Sequence, residues 1–204
     1  MIAIIDYGVG NLFSLTASLK YLGAEVLVTK EKEEIKRADH IILPGVGAFE
    51  DAIFKLRATG LVDTIIEETQ RGKPLLGICL GMQLLFERSA EYGNHEGLGL
   101  IKGEIASIED NLPHGSKLKV PHIGWNSLKL KKDEPLFKYI KEGDYVYYVH
   151  SFYGKNCEAN RIASSNYEIE ITGAVRSKSI YGTQFHPEKS GRVGLNILRS
   201  FMEL

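Results

Sequence analysis

Between Lys73 and Gln83 an apolar run, Leu75-Leu-Gly-Ile78, breaks at a cysteine set between two glycines, and a helical pattern starts directly after it. The stretch reads as a strand, a sharp turn and a helix, with Cys79 at the turn. Gly77 and Gly81 stand two residues before and two after the thiol, and the missing side chains let strand and helix pack closely, as in a nucleophile elbow. Such a turn pushes Cys79 into the open. A helix N-terminus also favours thiolate over thiol, which suits a cysteine that attacks a substrate. The competing reading is a small buried residue in a strand-to-helix contact.

The flanking sequence sets the architecture. Ile2 to Ile5 predicts a strand, Asp6-Tyr-Gly-Val-Gly-Asn11 a loop, and Leu12, Leu15, Leu19 and Leu22 a helix ended by Gly23. Glu25 to Thr29 is a second β-rich run, Lys30 to Asp39 a charged helical crossover, and His40 to Leu43 a third strand ending at Pro44-Gly-Val-Gly47. Two helical segments follow between Phe49 and Arg71, broken near Thr59-Gly60, and the helix after Cys79 is expected from Met82 to Ala90. The alternation predicts an α/β fold: an open, largely parallel twisted sheet flanked by helices. The second half adds short aromatic and β-branched segments, including Tyr145 to His150 and Ser179 to Phe185, that predict additional antiparallel strands. From Arg192 onward Leu195, Leu198, Phe201 and Met202 form the stripe of a final helix. No repeat or linker interrupts the 204 residues, so residues 1–204 are expected to form a single domain.

Composition narrows the chemistry. A net charge of −1 leaves no basic field for nucleic acid or an anionic membrane surface, which points to small molecules and proteins as partners. The opening apolar run is too short for a signal segment, and no membrane span is found. The two cysteines, Cys79 and Cys157, form neither a disulfide framework nor a metal-ligand pattern, so a reducing cytoplasm and no bound metal are expected, with a packing role for Cys157. Gly8-Val-Gly10 is not a dinucleotide fingerprint, because the third glycine would fall at Phe13 and no acid closes the second strand. Gly72-Lys73 is followed by Pro74 and is no phosphate loop, so no cofactor is expected.

A nucleophilic cysteine needs a base and a place for developing negative charge. Pro44-Gly-Val-Gly47 lies at the end of a strand expected beside that of Cys79, at the carboxyl edge where open α/β sheets bind ligands. Amides of Gly45, Val46 and Gly47, with that of Leu80, are candidates for an oxyanion hole. Of six histidines, His186 stands out in Gln184-Phe-His-Pro-Glu188. Pro187 biases His186 towards an extended conformation, in which His186 and Glu188 project to one side. Glu188 then fixes the imidazole tautomer while the other ring nitrogen serves the thiol. His150, within a strand-like aromatic run, is the fallback base.

With Gly-Ile-Cys79-Leu-Gly and His186-Pro-Glu188 in hand, the chain resembles class I glutamine amidotransferases, a flavodoxin-like α/β family whose catalytic triad carries over to Cys79, His186 and Glu188. Asp6 to Asn11, Leu43 to Phe49, Pro121-His-Ile-Gly-Trp-Asn126, Tyr147-Tyr-Val-His-Ser151 and His186 to Ser190 are similar to the branch that serves as glutaminase subunits of imidazole glycerol phosphate synthases. The resemblance implies that Gln83 and Glu91 help hold glutamine, with backbone near His150 and Ser151. It implies contacts to a (β/α)₈ cyclase partner, in a heterodimer, around Asn11, Trp125, Asn126, Tyr147 and Lys189. Only sixteen residues follow Glu188, so the ammonia acceptor is expected on another polypeptide. Free glutaminase activity would waste glutamine, so the isolated subunit is expected to be nearly silent until a partner aligns the glycine-rich, readily reoriented Pro44 to Gly47 amides. A free-standing γ-glutamyl thiol hydrolase, a glutaminase subunit of another ammonia-using synthase and a non-catalytic binding subunit are the alternatives.

Overall fold

The computed structural model describes residues 1–204, and its organising layer is one eight-stranded sheet. Its first half follows the alternation in the sequence: β1 (Ile2–Ile5), α1 (Leu12–Tyr21), β2 (Val26–Thr29), α2 (Lys32–Arg37), β3 (His40–Leu43), α3 (Phe49–Ala58), α4 (Val62–Gln70) and β4 (Leu75–Ile78). Each strand is only four residues long, and β1, β3 and β4 are buried on both faces, the composition of strands covered by helices on either side, whereas β2 lies at the sheet edge with Val28 exposed. Side chains alternate accordingly. Ala3 and Ile5 of β1 join a core with Phe49, Leu56 and Ile65 of α3 and α4, while Ile2 and Ile4 join a second core with Leu15 and Leu19 of α1.

After β4 the chain departs from expectation. The helix α5 covers only Leu80–Leu84, and β5 (Phe86–Ser89) occupies the span expected to stay helical to Ala90. Long-range pairing decides this. β5 pairs in parallel with β7 (Ile101–Ser107) and antiparallel with β6 (His95–Glu96), and the Leu85 carbonyl accepts from the amides of Leu100 and Ile101. Two-residue and longer strands continue as β8 (His122–Ser127), β9 (Lys129–Leu130), β10 (Tyr145–His150), β11 (Phe152–Lys155), β12 (Arg161–Tyr167), β13 (Ile169–Ser177) and β14 (Ile180–Thr183). The final helix, α6 (Gly191–Met202), lays Ile197, Leu198 and Phe201 on the core that also holds α1.

The main sheet runs β2-β1-β3-β4-β14-β13-β12-β9. The first five strands are mutually parallel, and β14, β13, β12 and β9 are antiparallel neighbours, so the largely parallel sheet with antiparallel additions expected from the sequence is what forms. A four-stranded sheet, β11-β7-β5-β6, and a two-stranded ribbon, β10-β8, stand outside it. No helix is long and apolar enough to cross a membrane.

Candidate active site

Three neighbouring parallel strands, β3, β4 and β14, end at one edge of the sheet and deliver Pro44 to Gly47, Cys79 and His186 to the same place. Register does the alignment: Leu43 pairs with Gly77 and Ile78 with Thr183, and the Cys79 amide donates to the Thr183 carbonyl at 2.7 Å. Cys79 itself takes φ 54 and ψ −113, a strained conformation for a residue with a Cβ. The glycines around it are steric requirements. A Cβ on Gly77 would stand 2.7 Å from the Gly81 carbonyl oxygen, and one on Gly81 would run into the Leu43 carbonyl.

Cys79 was expected in the open but is 7% exposed, and it faces a cavity of about 340 Å³. Tyr92, Val149, His150 and Phe152, from segments outside the main sheet, wall that cavity, and this cover is what sequence reasoning could not anticipate. Val46, Gly47 and Leu80 line it too, whereas Gly45 is buried against the elbow, where a Cβ would lie 2.6 Å from the Gly81 amide nitrogen. Gly47 has φ +96, the left-handed region that glycine reaches freely.

His186 and Glu188 do not lie in one extended segment. His186 is extended, but Pro187–Lys189 forms a 3₁₀ turn, which folds the carboxylate back so that Oε1 lies 2.8 Å from His186 Nδ1. The turn is pinned: the His186 amide donates to the Tyr147 carbonyl at 3.0 Å, and the Ser190 hydroxyl donates to the His186 carbonyl at 2.6 Å. Burial pulls the imidazole towards its neutral form. Its contacts with Cys79 and Glu188 outweigh that and push its pKa up to about 10. The group is thus built to hold a proton beside the sulfur.

Gln83, Glu91, His150, Ser151 and Lys189 all line the cavity. Burial raises the Glu91 pKa, while the Phe49 amide donates to its Oε2 at 2.8 Å and favours the charged form. His150 is no base in this setting, because burial drives its pKa down to about 3. Trp125 and Tyr147 sit opposite each other on the ribbon, their rings 6.1 Å apart, with Trp125 exposed. Asn126 turns its side chain instead towards His122 and the Asn166 carbonyl. Asn11 stands at the N-cap position of α1 without a side-chain capping bond, and that helix packs against the 3₁₀ turn carrying Glu188.

Two contributors carried no assigned role in the sequence. The Tyr7 hydroxyl donates to the Pro44 carbonyl at 2.6 Å, fastening the first loop to the glycine stretch. Gln184, fully buried, directs its amide Nε2 at the Cys79 sulfur from 3.8 Å. A glutamine within the apolar Ser179 to Phe185 run, two residues before His186, was the available signal.

A cysteine on an elbow, a carboxylate-held imidazole and a glycine-rich stretch meet at the edge of a mixed sheet, an arrangement suited to nucleophilic chemistry at a thiol. The family model of class-I glutamine amidotransferases matches residues 3–204, and the chain belongs to that family. It is 51% identical over 205 residues to the imidazole glycerol phosphate synthase subunit HisH of Caldanaerobacter subterraneus subsp. tengcongensis, covering 100% of this chain and 98% of that one. To the subunit of the same name from Bacillus licheniformis it is 49% identical over 204 residues, covering 100% and 96%. Among solved structures, a glutamine amidotransferase shares the fold with a TM-score of 0.75 at 17% identity, over 100% of this chain and 98% of that one. PurLQS from Thermotoga maritima does so with a TM-score of 0.73 at 20% identity, over 99% and 97%.

Proposed function

We propose that the chain is the glutaminase subunit of an imidazole glycerol phosphate synthase, hydrolysing glutamine to glutamate and ammonia for a separate cyclase subunit in histidine biosynthesis. The observation that carries the chemistry is the meeting of Cys79, His186 and Glu188 beside one cavity. The full-length likeness to HisH subunits supports the pathway.

Glutamine enters with its carboxamide at Cys79 and its α-substituents towards Gln83, Glu91 and the backbone of His150 and Ser151. The sulfur attacks the carboxamide carbon, and the oxyanion is met by amides at Val46, Gly47 and Leu80, which line the cavity. The proton on His186 goes to the departing nitrogen, so ammonia leaves and a γ-glutamyl thioester remains. Water then attacks the thioester as His186 takes its proton, and glutamate is released. Glu188 keeps the imidazole in its tautomer and stabilises its charge throughout. Ammonia passes to a (β/α)₈ cyclase bound as a heterodimer over the face bearing Trp125, Tyr147, Lys189, Asn126 and Asn11. The exposed indole of Trp125 beside Tyr147 is the kind of aromatic anchor such faces use. Two free, buried cysteines fit a cytoplasmic setting.

The test is a Cys79→Ala variant assembled with the cyclase. Synthesis from glutamine should fall at least ~10³-fold, the scale of losing a covalent nucleophile, while synthesis from ammonium persists. Equal loss of both, or of neither, overturns the reading, and peptide hydrolysis by the chain alone would favour a free-standing hydrolase.

A further inference from the structure

Pro44 to Ala48 join β3 to α3 and include the Val46 and Gly47 amides that meet the oxyanion. Beyond the Pro44 carbonyl and before the Ala48 carbonyl, which accepts from the Ala52 amide at 3.1 Å, no backbone group of this stretch is hydrogen-bonded within the chain. Val46, Gly47 and Ala48 are exposed, and a Cβ on Gly47 would meet nothing within 4 Å, so packing does not fix these residues either. The stretch is set from its ends, and at each end a side chain from far along the sequence holds it.

At the near end the Tyr7 hydroxyl donates to the Pro44 carbonyl at 2.6 Å, across 37 residues. Tyr7 is 5% exposed, and Gly10 of the same loop lies so close to the Pro44 ring that a Cβ there would stand 2.9 Å from Pro44 Cβ. Packing against the elbow fixes where Gly45 lies. The hydroxyl fixes which way the Pro44–Gly45 peptide faces, because a turned peptide would leave a buried hydroxyl and a buried carbonyl unpaired.

At the far end the residue before α3 is Ala48, whose methyl group cannot cap a helix, so the first-turn amides need an acceptor from elsewhere. Glu91 supplies it from 42 residues away, its Oε2 accepting from the Phe49 amide at 2.8 Å. The backbone from which the carboxylate reaches is itself held, because the Glu91 amide donates to the Ser89 hydroxyl oxygen at 3.1 Å. A carboxylate also suits the positive end of the helix dipole. Glu91 Oε1 takes no hydrogen bond from the chain, and Glu91 lines the cavity. One oxygen is committed to the fold and the other is open to a ligand.

We propose that Tyr7 and Glu91 are positioning residues for the oxyanion donors: their side chains clamp the two ends of the Pro44 to Ala48 stretch, and the amides of Val46 and Gly47 take their direction from those clamps. The role rests on the glutaminase reading. Gly45 and Gly47 let the interior peptides turn, so a partner can align the middle while the ends stay in place. Without a clamp the end peptide turns too, the aligned arrangement is less populated, and the transition state loses part of its charge stabilisation. Glu91 adds a coupling. An ammonium group on Oε1 steadies the same carboxylate that holds the Phe49 amide, so glutamine binding and oxyanion alignment depend on one side chain.

The test uses the complex with its cyclase. Tyr7→Phe removes one hydroxyl and keeps the ring. Its glutamine-dependent kcat should fall about tenfold, the scale of one lost buried hydrogen bond, with the KM for glutamine within about twofold of native. Alkylation of Cys79 by iodoacetamide, which needs the sulfur but forms no oxyanion, should keep its native rate, as should ammonium-dependent synthesis. Glu91→Gln must turn its oxygen to the Phe49 amide and its NH₂ to the cavity, so it should raise KM about tenfold or more and leave kcat near native. Glu91→Leu loses the clamp as well and should lower kcat about tenfold besides. A Tyr7→Phe kcat within about twofold of native overturns the proposal, and so does alkylation that slows in step with kcat, which would place the effect on the sulfur. Equal kcat in folded Glu91→Gln and Glu91→Leu also overturns it. The Val46 and Gly47 amide signals, read by NMR without turnover, should shift in Tyr7→Phe and Glu91→Leu. Unmoved signals refute the clamps whatever the activity, whereas Cys79→Ala decides the glutaminase reading.

Discussion

His186 and His150 are both buried, at 2% and 6% exposure, and both border the same cavity, yet their pKa values move in opposite directions. Burial disfavours the imidazolium in each. His150 follows burial, because its partners are a carbonyl and a second imidazole, and its pKa drops to about 3. His186 does not, because Cys79 beside it and the Glu188 carboxylate, 2.8 Å from its Nδ1, push its pKa up to about 10. Partners rather than depth decide which histidine is favoured to hold a proton. The architecture matches the division: His186 follows a strand of the parallel sheet, while His150 belongs to the ribbon that covers the cavity.

The sharpest way to break this contrast is to neutralise the carboxylate without removing its hydrogen-bond acceptor. In Glu188→Gln the side-chain oxygen can still accept from His186 Nδ1, so the tautomer survives and only the charge is lost. Glutamine hydrolysis in the complex should drop roughly a hundredfold in kcat, the low end of what general acid–base catalysis contributes, with the KM for glutamine changing little. Steady-state kinetics decide this. A kcat within a few-fold of native would mean that orientation, not charge, is what Glu188 supplies.

A smaller effect is expected where the two histidine groups meet. Gln184 accepts from Gln83 at one end and faces the Cys79 sulfur at the other, so Gln184→Met keeps the volume and cuts the connection. Thioester formation, followed by single-turnover release of ammonia, should slow about tenfold. The His186–Glu188 contact should persist. Native rates would show that the ribbon and the triad act independently.

The parts of this site that local sequence specifies were legible. An apolar run ending in Gly-Ile-Cys-Leu-Gly encodes its own strand, turn and helix, because the glycines are needed within five residues of each other. The parallel strands were legible for the same reason, each being a short apolar run between glycines or a charged helix. What escaped depends on distant partners. Helical periodicity continues past Leu84, but the amides of residues 98 to 101 capture the carbonyls of Leu84, Leu85 and Phe86 and turn the segment into strand. Pro187 biases His186 towards an extended conformation, but its larger effect is to start the 3₁₀ turn that brings Glu188 back. Gln83 and Gln184 are 101 residues apart, and His122 and His150 are 28 apart, so no local pattern announces either contact.

The smallest expected effect sharpens the contrast through stability alone. His122 and His150 have folded-state pKa values near 4 and 3 against 6.5 in an unfolded chain, so the unfolded state binds more protons between those limits. Their neutrality therefore costs stability as pH falls from about 6.5 towards 4. His186 works the other way: its pKa is raised from 6.5 to about 10, so its contribution is full below 6.5 and fades as pH rises towards 10. Melting temperature measured across pH should show His122→Phe recovering about 5 °C of the acid-side loss relative to its own value at pH 7. Glu188→Gln should instead flatten the alkaline limb and leave the acid one as it was. If the two substitutions altered the same limb, the two histidine groups would be one titrating unit, and the division of labour between ribbon and triad would not hold.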